Sequence, residues 1–373
     1  MLNVIMARIN RRKQRRNLSI LAIGLIVFGF TVSMLVQRIT NLFVEEETVK
    51  EPVPVEEKLT SKDYAKYGID ESGNIPVMMY HGIHDIPSSQ TGYTGGNVDV
   101  DGYQRTAQAF RQDLEFYYKN NYRMVRLKDY VEGNIDCDAK MTPLVLTFDD
   151  GLDNNILVTG LDAKGEIQID PNSAVGILES FKKKYPDFNV TATFFVNGGL
   201  FNQPEYNDKI LHWLIDHGYD IGNHTYSHVD FTTATPIQSM EEVGIVYDLL
   251  DQIIPGQYVN IIALPFGSPY TFDHQNMPSI LKASYNGKVY HTQTALQVAW
   301  EADYSPYSAS FDPSFIKRIR AYDNEGQNFD IAYNFEVLES TRYISDGKKD
   351  TIVIPKEKEA NLGNTHNKKV IVY

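Results

Sequence analysis

Eight residues between Leu144 and Gly151 constrain the fold of this chain more than any other stretch. They read Leu-Val-Leu-Thr-Phe-Asp-Asp-Gly, so a run of β-favouring residues leads directly into two adjacent acids. Neighbouring side chains of a strand point to opposite faces, so Asp149 and Asp150 reach one site only if the strand ends there. Gly151 permits such a sharp turn. The stretch alone leaves two interpretations open: a solvated turn, or a metal site that offsets the cost of burying two carboxylates.

A second constellation is the heptapeptide Gly-Asn-His-Thr-Tyr-Ser-His at residues 222–228. His224 and His228 stand four residues apart, a spacing used for divalent metals on a helix face or across a tight loop. Taken alone, such a pair is more often solvated or part of a core. Here it follows a predicted strand, as Asp149 and Asp150 do, and the carboxyl ends of parallel strands converge at one mouth. One Asp and two His there would form a facial triad with open positions, typical of a hydrolytic metal site.

The rest of the chain alternates between predicted strands and helices over some 200 residues, which indicates a parallel α/β sheet or barrel. Apolar runs predict the strands, and apolar residues at helical spacing predict the helices. The predicted strands are 76–80, 144–148, 192–196, 220–223 and 261–264, with three more at 341–344, 351–354 and 370–373. The predicted helices are 107–118, 174–185, 210–217 and 236–254.

Charge is unevenly distributed along the 373 residues. Residues 1–16 hold six basic residues and no acid, which leaves 29 basic against 48 acidic residues and a net charge of −19 for the remainder. A body this acidic argues against a nucleic-acid partner, because phosphate binding needs a basic face. Cys137 is the sole cysteine, so no internal disulfide is possible.

The apolar segment 18–36 is long enough, at about 28 Å as a helix, to cross a bilayer core. We therefore expect a cytoplasmic basic segment at 1–17, a transmembrane signal anchor at 18–36 and an extracytoplasmic remainder. A cleaved signal peptide is the alternative. The acidic, Pro-containing composition of residues 37–74 predicts a flexible linker. Residues 75–373 are then expected to form the catalytic domain, with extra strands at its C-terminal end.

These motifs resemble those of the polysaccharide deacetylases, the NodB-homology or carbohydrate esterase family 4 enzymes. Thr-Phe-Asp-Asp at 147–150 is similar to their first motif and His-Thr-Tyr-Ser-His at 224–228 to their second, within a resemblance that covers about 75–300. It implies a distorted (β/α) barrel of about seven strands. It also implies that Asp150, His224 and His228 bind the metal and that Asp149 is the general base.

The third motif of the family, usually Arg-x-Pro-Tyr-Gly in form, corresponds to residues 263–267, Ala-Leu-Pro-Phe-Gly. Pro265 and Gly267 match it, and the resemblance implies that the backbone N–H of Phe266 stabilises an oxyanion. The arginine that usually orients the base is replaced by Ala263, which leaves the orientation of Asp149 unexplained. A loose counterpart of the fourth motif spans 298–303.

No C-terminal Leu-x-His of the fifth motif is present, but Met-Tyr-His stands at 79–81. This resembles a branch of the family with circularly permuted motifs and implies that His81 is the general acid, a role that suits histidine. A strand-end histidine bonded to backbone is the alternative for His81, and His291 is the reserve candidate for the acid.

The resemblance and the residues together predict a membrane-anchored, divalent-metal-dependent hydrolase that removes N-acetyl groups from an N-acetylglucosamine-type glycan. Zinc is favoured, with Co, Mn or Ni as alternatives. Exposed aromatic rings would stack on sugars, and the expected candidates near the mouth are Tyr226, Phe266, Tyr270, Tyr304 and Tyr307. Two other functions stay open: an O-acetyl esterase acting on a polysaccharide, and a catalytically impaired homologue that binds glycan.

Overall fold

One parallel sheet dominates the protein, whose computed structural model describes residues 59–373. Most of the strands consist largely of buried apolar residues, as expected where helices or other chain segments cover both sides of a parallel sheet. In the longest strand all seven residues are buried. The strands of this sheet are β1 (Val77–Tyr80), β2 (Tyr122–Met124), β3 (Thr142–Phe148), β4 (Thr193–Val196), β5 (Asp220–Asn223), β6 (Ile261–Ala263), β7 (Thr294–Leu296), β8 (Phe315–Ile316) and β9 (Ile319–Arg320).

The strand order is β8-β7-β6-β5-β4-β3-β1-β9, with β2 beside the first half of β3. All these pairings are parallel, which confirms the predicted parallel α/β class. β8 and β9 lie at opposite edges, yet they are separated in the chain by Lys317 and Arg318 alone. The sheet must therefore curl until its edges approach each other. It contains nine strands where about seven were expected, because its two edge strands are only two residues long.

Helices follow most of the strands and begin at polar caps. The side chains of Thr106, Ser173 and Thr235 each accept a hydrogen bond from the backbone three residues on, as N-caps do. The helices in residues 59–373 are α1 (Ser61–Tyr67), α2 (Ala107–Lys119), α3 (Leu127–Val131), α4 (Ala174–Lys184), α5 (Asn207–Asp216), α6 (Pro236–Ile253), α7 (Met277–Leu281) and α8 (Ile331–Leu338).

Within the described residues, four two-stranded pairs lie outside the main sheet. The C-terminal pair is parallel, and its isoleucines and valines pack against two of the buried clusters. The pairs are Ile83–His84 with Arg105–Thr106, Val158–Leu161 with Ile167–Ile169, Lys282–Tyr285 with Lys288–His291, and Thr351–Ile354 with Lys369–Val372.

The expected linker 37–74 is wrong for its last sixteen residues. Residues 59–74 contain α1, and Leu59, Tyr64 and Ile69 are buried in a cluster with Val353 of the C-terminal pair. The acidic composition of this stretch does not predict its burial, because its apolar partner Val353 lies almost 300 residues further along the chain. The predicted strand at 341–344 is also wrong, since that stretch forms isolated bridges to Asp70 and Asn74.

The predicted segments 1–17 and 18–36, and residues 37–58 of the linker, lie outside the described residues. Within residues 59–373, no helix has the length and apolar character to span a bilayer.

Candidate functional site

Asp150, His224 and His228 meet at the carboxyl ends of β3 and β5. Their ligand atoms all lie within 4.8 Å of one another. Oδ1 of Asp150 lies 3.2 Å from Nε2 of His224 and 3.4 Å from Nε2 of His228. A tetrahedral ion with ligands at about 2.0–2.1 Å would hold neighbouring ligand atoms about 3.3 Å apart. The predicted triad is therefore assembled at distances that fit a divalent metal.

The hydrogen bonding of His224 also fits a metal ligand. Its Nδ1–H donates to the carbonyl oxygen of Ala263, 2.8 Å away, so the lone pair of the neutral ring is on Nε2. This Nε2 is buried, has no hydrogen-bond partner and faces Asp150. Buried polar atoms without a partner are rare. A metal ion held by Nε2 of His224 would satisfy this one.

Unusual backbone conformations orient the side chains of the triad. Asp150, Gly151, Thr225 and His228 all have positive φ, between 56° and 74°. A Cβ at Gly151 would lie 2.2 Å from the carbonyl oxygen of Leu200, so this position needs glycine for space as well as for its φ. Non-glycine residues with positive φ are uncommon and concentrate at functional sites.

Hydrogen bonds to α6 hold the loop between the two histidines. The backbone N–H and the hydroxyl of Ser227 both donate to the Glu242 carboxylate, at 2.7 Å each. Asn223 accepts from the Thr225 N–H and donates to the carbonyl of Val243. The His-x-x-x-His spacing thus lies on a tight loop rather than on a helix face, and hydrogen bonds to protein groups hold this loop in place.

Asp149 is held by Arg318, which lies between β8 and β9. The guanidinium donates from both terminal nitrogens to the two carboxylate oxygens, at 2.7 Å each. A third hydrogen bond, 3.1 Å long, joins Arg318 to the hydroxyl of Thr147. Both side chains of the ion pair are almost completely buried. Arg318 therefore fixes the orientation of Asp149, which the loss of arginine at position 263 had left unexplained.

The electrostatics of the site favour two ionised acids. Burial opposes ionisation of Asp149, but the Arg318 guanidinium, together with the nearby His224 and His81, outweighs burial and holds the pKa of this carboxyl below its usual value. Burial also opposes ionisation of Asp150, yet the contact with His224 and the proximity of His81 and His228 keep its pKa well below the usual range. Both acids are thus available as carboxylates at neutral pH, one as a ligand and one as a base.

His81 lines the same cleft, a hollow of about 350 Å³ that also contains Asp149 and the metal triad. Its ring is buried, packs edge-on against Tyr103 at 5.0 Å between centroids, and has an Nδ1 without a partner. Burial lowers the pKa of His81, and the carboxylates of Asp149 and Asp150 oppose that shift. The unpartnered Nδ1 does not fit the alternative in which the imidazole is bonded to backbone.

The turn at residues 263–267 also borders the triad. Phe266 has φ 57°, and its exposed ring packs edge-on against His228 at 4.5 Å. The N–H groups of Gly267 and Ser268 donate within the turn to Leu264 and Pro265. Within residues 59–373, the Phe266 N–H takes no part in these hydrogen bonds of the turn and is available to an oxyanion.

The other aromatic candidates do not line this cleft. Tyr226 is exposed and lies against Gly198, and Tyr307 is buried in a core cluster. Tyr270 and Tyr304 are exposed outside it. His291 is on an exposed strand of the 282–291 hairpin and is likewise absent from the cleft, which leaves His81 as the candidate acid.

Sequence reasoning missed Arg318 and the cleft-lining loop that carries Asp99, Asp101 and Tyr103. Arg318 stands 169 residues from Asp149. The two adjacent basic residues between Ile316 and Ile319 were a usable signal, because a charge in a buried apolar stretch needs a partner. Nothing local identified which acid that partner is.

The family model described as polysaccharide deacetylase matches residues 138–276. A deacetylase, PplD, from Streptococcus pyogenes in complex with acetate is 20% identical, with a TM-score of 0.48, and the alignment covers 68% of this chain and 94% of that one. A de-N-acetylase from Aggregatibacter actinomycetemcomitans is 11% identical, with 66% and 94% covered and a TM-score of 0.40. The peptidoglycan deacetylase PdaC from Bacillus subtilis is 22% identical, with 37% and 54% covered and a TM-score of 0.26. No curated protein sequence matches the chain.

Proposed function

Because this chain contains a polysaccharide deacetylase domain, we propose that it is a divalent-metal-dependent hydrolase that removes N-acetyl groups from an N-acetylglucosamine-type glycan. One observation carries the proposal: the Asp150, His224 and His228 ligand atoms converge beside a buried carboxylate, Asp149, that does not belong to the triad. This arrangement provides a metal site and a separate base in one cleft.

Individual residues of the cleft have separate roles in the reaction. A metal held by the triad would supply Lewis-acid polarisation of the acetyl carbonyl and lower the pKa of a water. Asp149 accepts the proton of the attacking water, since Arg318 keeps it ionised and oriented. The Phe266 N–H donates to the oxyanion that forms on the carbonyl oxygen. His81 gives a proton to the leaving amine as the carbon–nitrogen bond breaks, so the products are acetate and a free amine.

The Arg318–Asp149 pair favours an enzyme over an impaired glycan-binding homologue. The case for impairment was that Ala263 replaces the arginine expected to orient the base. A bidentate guanidinium now occupies the equivalent role from another part of the chain. An O-acetyl esterase would use the same residues, and its leaving alkoxide would need less help from His81.

We propose that the hydrolase acts outside the cytoplasm, on a cell-surface or extracellular glycan, while the segment 18–36 anchors the chain in the cell membrane. The support for this is the sequence pattern: nineteen predominantly apolar residues preceded by six basic ones. Fractionation of the full chain, followed by protease treatment of intact cells, tests the anchoring and the orientation.

Metal removal tests the catalytic proposal. Chelation of the purified protein is expected to abolish acetate release from N-acetylglucosamine oligomers, and added Zn²⁺ or Co²⁺ to restore it. Asp150→Ala and His228→Ala are expected to lose both bound metal, measured by atomic emission, and activity. Asp149→Asn is expected to retain the metal and lose activity.

His291→Ala is the control, since His291 lies on an exposed strand and should change neither metal content nor rate. Activity that survives chelation, or full metal content in Asp150→Ala, would contradict the proposal. Faster acetate release from O-acetylated than from N-acetylated substrate would favour the esterase.

A further inference from the structure

A second hollow, of about 590 Å³, opens next to the candidate cleft. Val298 lines both, and its side chain packs against Gly267 of the turn beside the metal triad. Trp300, Phe329 and Tyr333 lie in the second hollow, and we call these three residues the aromatic shelf. The two hollows therefore lie side by side and share Val298 as a common wall.

Packed rings also connect the two hollows beneath the surface. The guanidinium of Arg320 lies 4.6 Å from the ring centre of Tyr103, which lines the cleft, and 4.1 Å from that of Trp300 on the aromatic shelf. Tyr103 in turn packs against His81, and Trp300 lies 4.5 Å from Phe329. Such cation–π contacts fix the orientation of the shelf relative to the cleft.

Two features make the position of Phe329 energetically unfavourable. Its side chain is 45% exposed, and its φ of 72° is rare for a bulky residue. Buried Asp330 stabilises this loop by accepting hydrogen bonds from the N–H groups of Gly326 and Ala332, among others. Exposed Phe266 beside the metal triad has a positive φ as well. Strained, exposed aromatic residues of this kind are found where ligands bind.

The charge around the aromatic shelf suits a neutral ligand. Glu301 and Lys317 form an ion pair 2.6 Å long at its margin, so the two charges offset each other. The remaining lining is aromatic, aliphatic or amide, including Gln297, Asn328 and Val337. Flat apolar rings next to amide groups match sugar rings, whose C–H faces stack on aromatic side chains while their hydroxyls form hydrogen bonds.

We propose that the aromatic shelf binds sugar units that flank the unit being deacetylated, so that the enzyme selects polymers over short oligosaccharides. This inference rests on the proposed function, because the occupant is the same glycan chain that enters the cleft. Two observations support this occupant: Val298 lines both hollows, and Arg320 packs against a ring from each of them. The shelf consequently adds affinity for long substrates without contributing to the chemistry.

Chain-length dependence tests the proposal kinetically. The Phe329→Ala/Tyr333→Ala double variant is expected to lower kcat/KM about tenfold for N-acetylglucosamine hexamer and to leave the value for the dimer unchanged. Trp213→Ala is the matched control, because Trp213 lines a separate hollow that shares no residue with the cleft. An equal loss on both substrates, or no loss on the hexamer, would overturn the proposal.

A binding measurement separates this inference from the proposed activity. The chain has only two tryptophans, so Trp213→Phe leaves Trp300 as the sole fluorophore of that type. In this background the hexamer is expected to change Trp300 emission saturably, N-acetylglucosamine to change it little at the same concentration, and Phe329→Ala to weaken the response. An emission change without deacetylation would refute the activity alone. Deacetylation without an emission change would refute the aromatic shelf alone.

Discussion

The ion pair between Arg318 and Asp149 shows how a position outside the local motif supplies what the motif lacks. Bidentate contact from a planar guanidinium fixes both oxygens of the carboxylate, and lysine cannot reproduce that geometry. Breaking such a buried pair costs about 3–5 kcal/mol of stability. A substitution of Arg318 that retains its positive charge therefore tests the orientation of Asp149 without leaving this buried carboxylate unpaired.

Arg318→Lys is expected to lower kcat about 100-fold, because a small displacement of the base is enough to cause such a loss. KM and bound metal should stay close to wild type, since Arg318 contacts neither the metal triad nor the cleft surface. Steady-state kinetics and metal analysis make the measurement.

Arg123→Lys is the matched control, because Arg123 is also buried and paired with an acid, Asp187, but lies away from the cleft. It should leave kcat unchanged. A rise in KM with unchanged kcat for Arg318→Lys would show that Arg318 does not position the base.

Among the elements, α1 shows that the folded body begins before β1. This helix starts at a Thr60 capping box and ends at Gly68, whose φ of 63° suits a C-cap. A seven-residue helix has little stability by itself, so packing must supply it. The contact is Tyr64, which is 3% exposed and lies in a cluster with Leu59, Ile69 and Val353.

Tyr64→Ala is expected to lower the free energy of unfolding by about 3 kcal/mol, as large-to-small changes in a core do. Urea unfolding makes the measurement. Lys62→Ala changes the exposed face of the same helix and should alter stability by less than about 0.5 kcal/mol. Equal effects of the two substitutions would mean that α1 does not stabilise the body.

For the whole molecule, Glu71 joins the start of the folded body to its C-terminal strands. Its carboxyl accepts hydrogen bonds from the Tyr343 hydroxyl and from the N–H groups of Asp346 and Val353. Burial, and then the neighbouring Asp346 carboxylate, outweigh these donors and raise the pKa of Glu71 from 4.5 to about 8. The folded state therefore retains a proton that the unfolded state releases.

Glu71 is expected to make stability fall as pH rises. A carboxyl whose folded pKa is raised contributes its full stability below about pH 4.5 and loses it progressively up to about pH 8. The loss is on the order of 2–4 kcal/mol. Urea midpoints at pH 5 and pH 8.5 measure it.

Glu71→Gln should flatten this part of the pH profile, because the amide does not titrate. Glu357→Gln, at an exposed position, should keep the wild-type profile. A pH profile of Glu71→Gln that parallels wild type would contradict the assignment.

Short-range sequence determined the metal triad and most of the sheet. Asp149-Asp150 and His224-x-x-x-His228 each stand at the end of an apolar strand, and parallel strands bring those ends together in any fold of this class. The predicted strands at 76–80, 144–148, 192–196, 220–223 and 261–264 accordingly appear within two residues of their observed bounds.

Tertiary structure alone decided how the base is oriented, where the body begins and which aromatic residues border the cleft. Arg318 reaches Asp149 only because the sheet curls until β8 and β9 approach each other, and the cluster that buries Tyr64 includes Val353 from the far end of the chain. Aromatic composition predicted a sugar-binding surface, but of its five candidates only Phe266 lines the cleft; Tyr226, Tyr270, Tyr304 and Tyr307 do not. The periodicity of a sequence shows which faces of a helix or strand are apolar. The partner of a buried charge or ring depends on contacts between residues that are hundreds of positions apart in the chain.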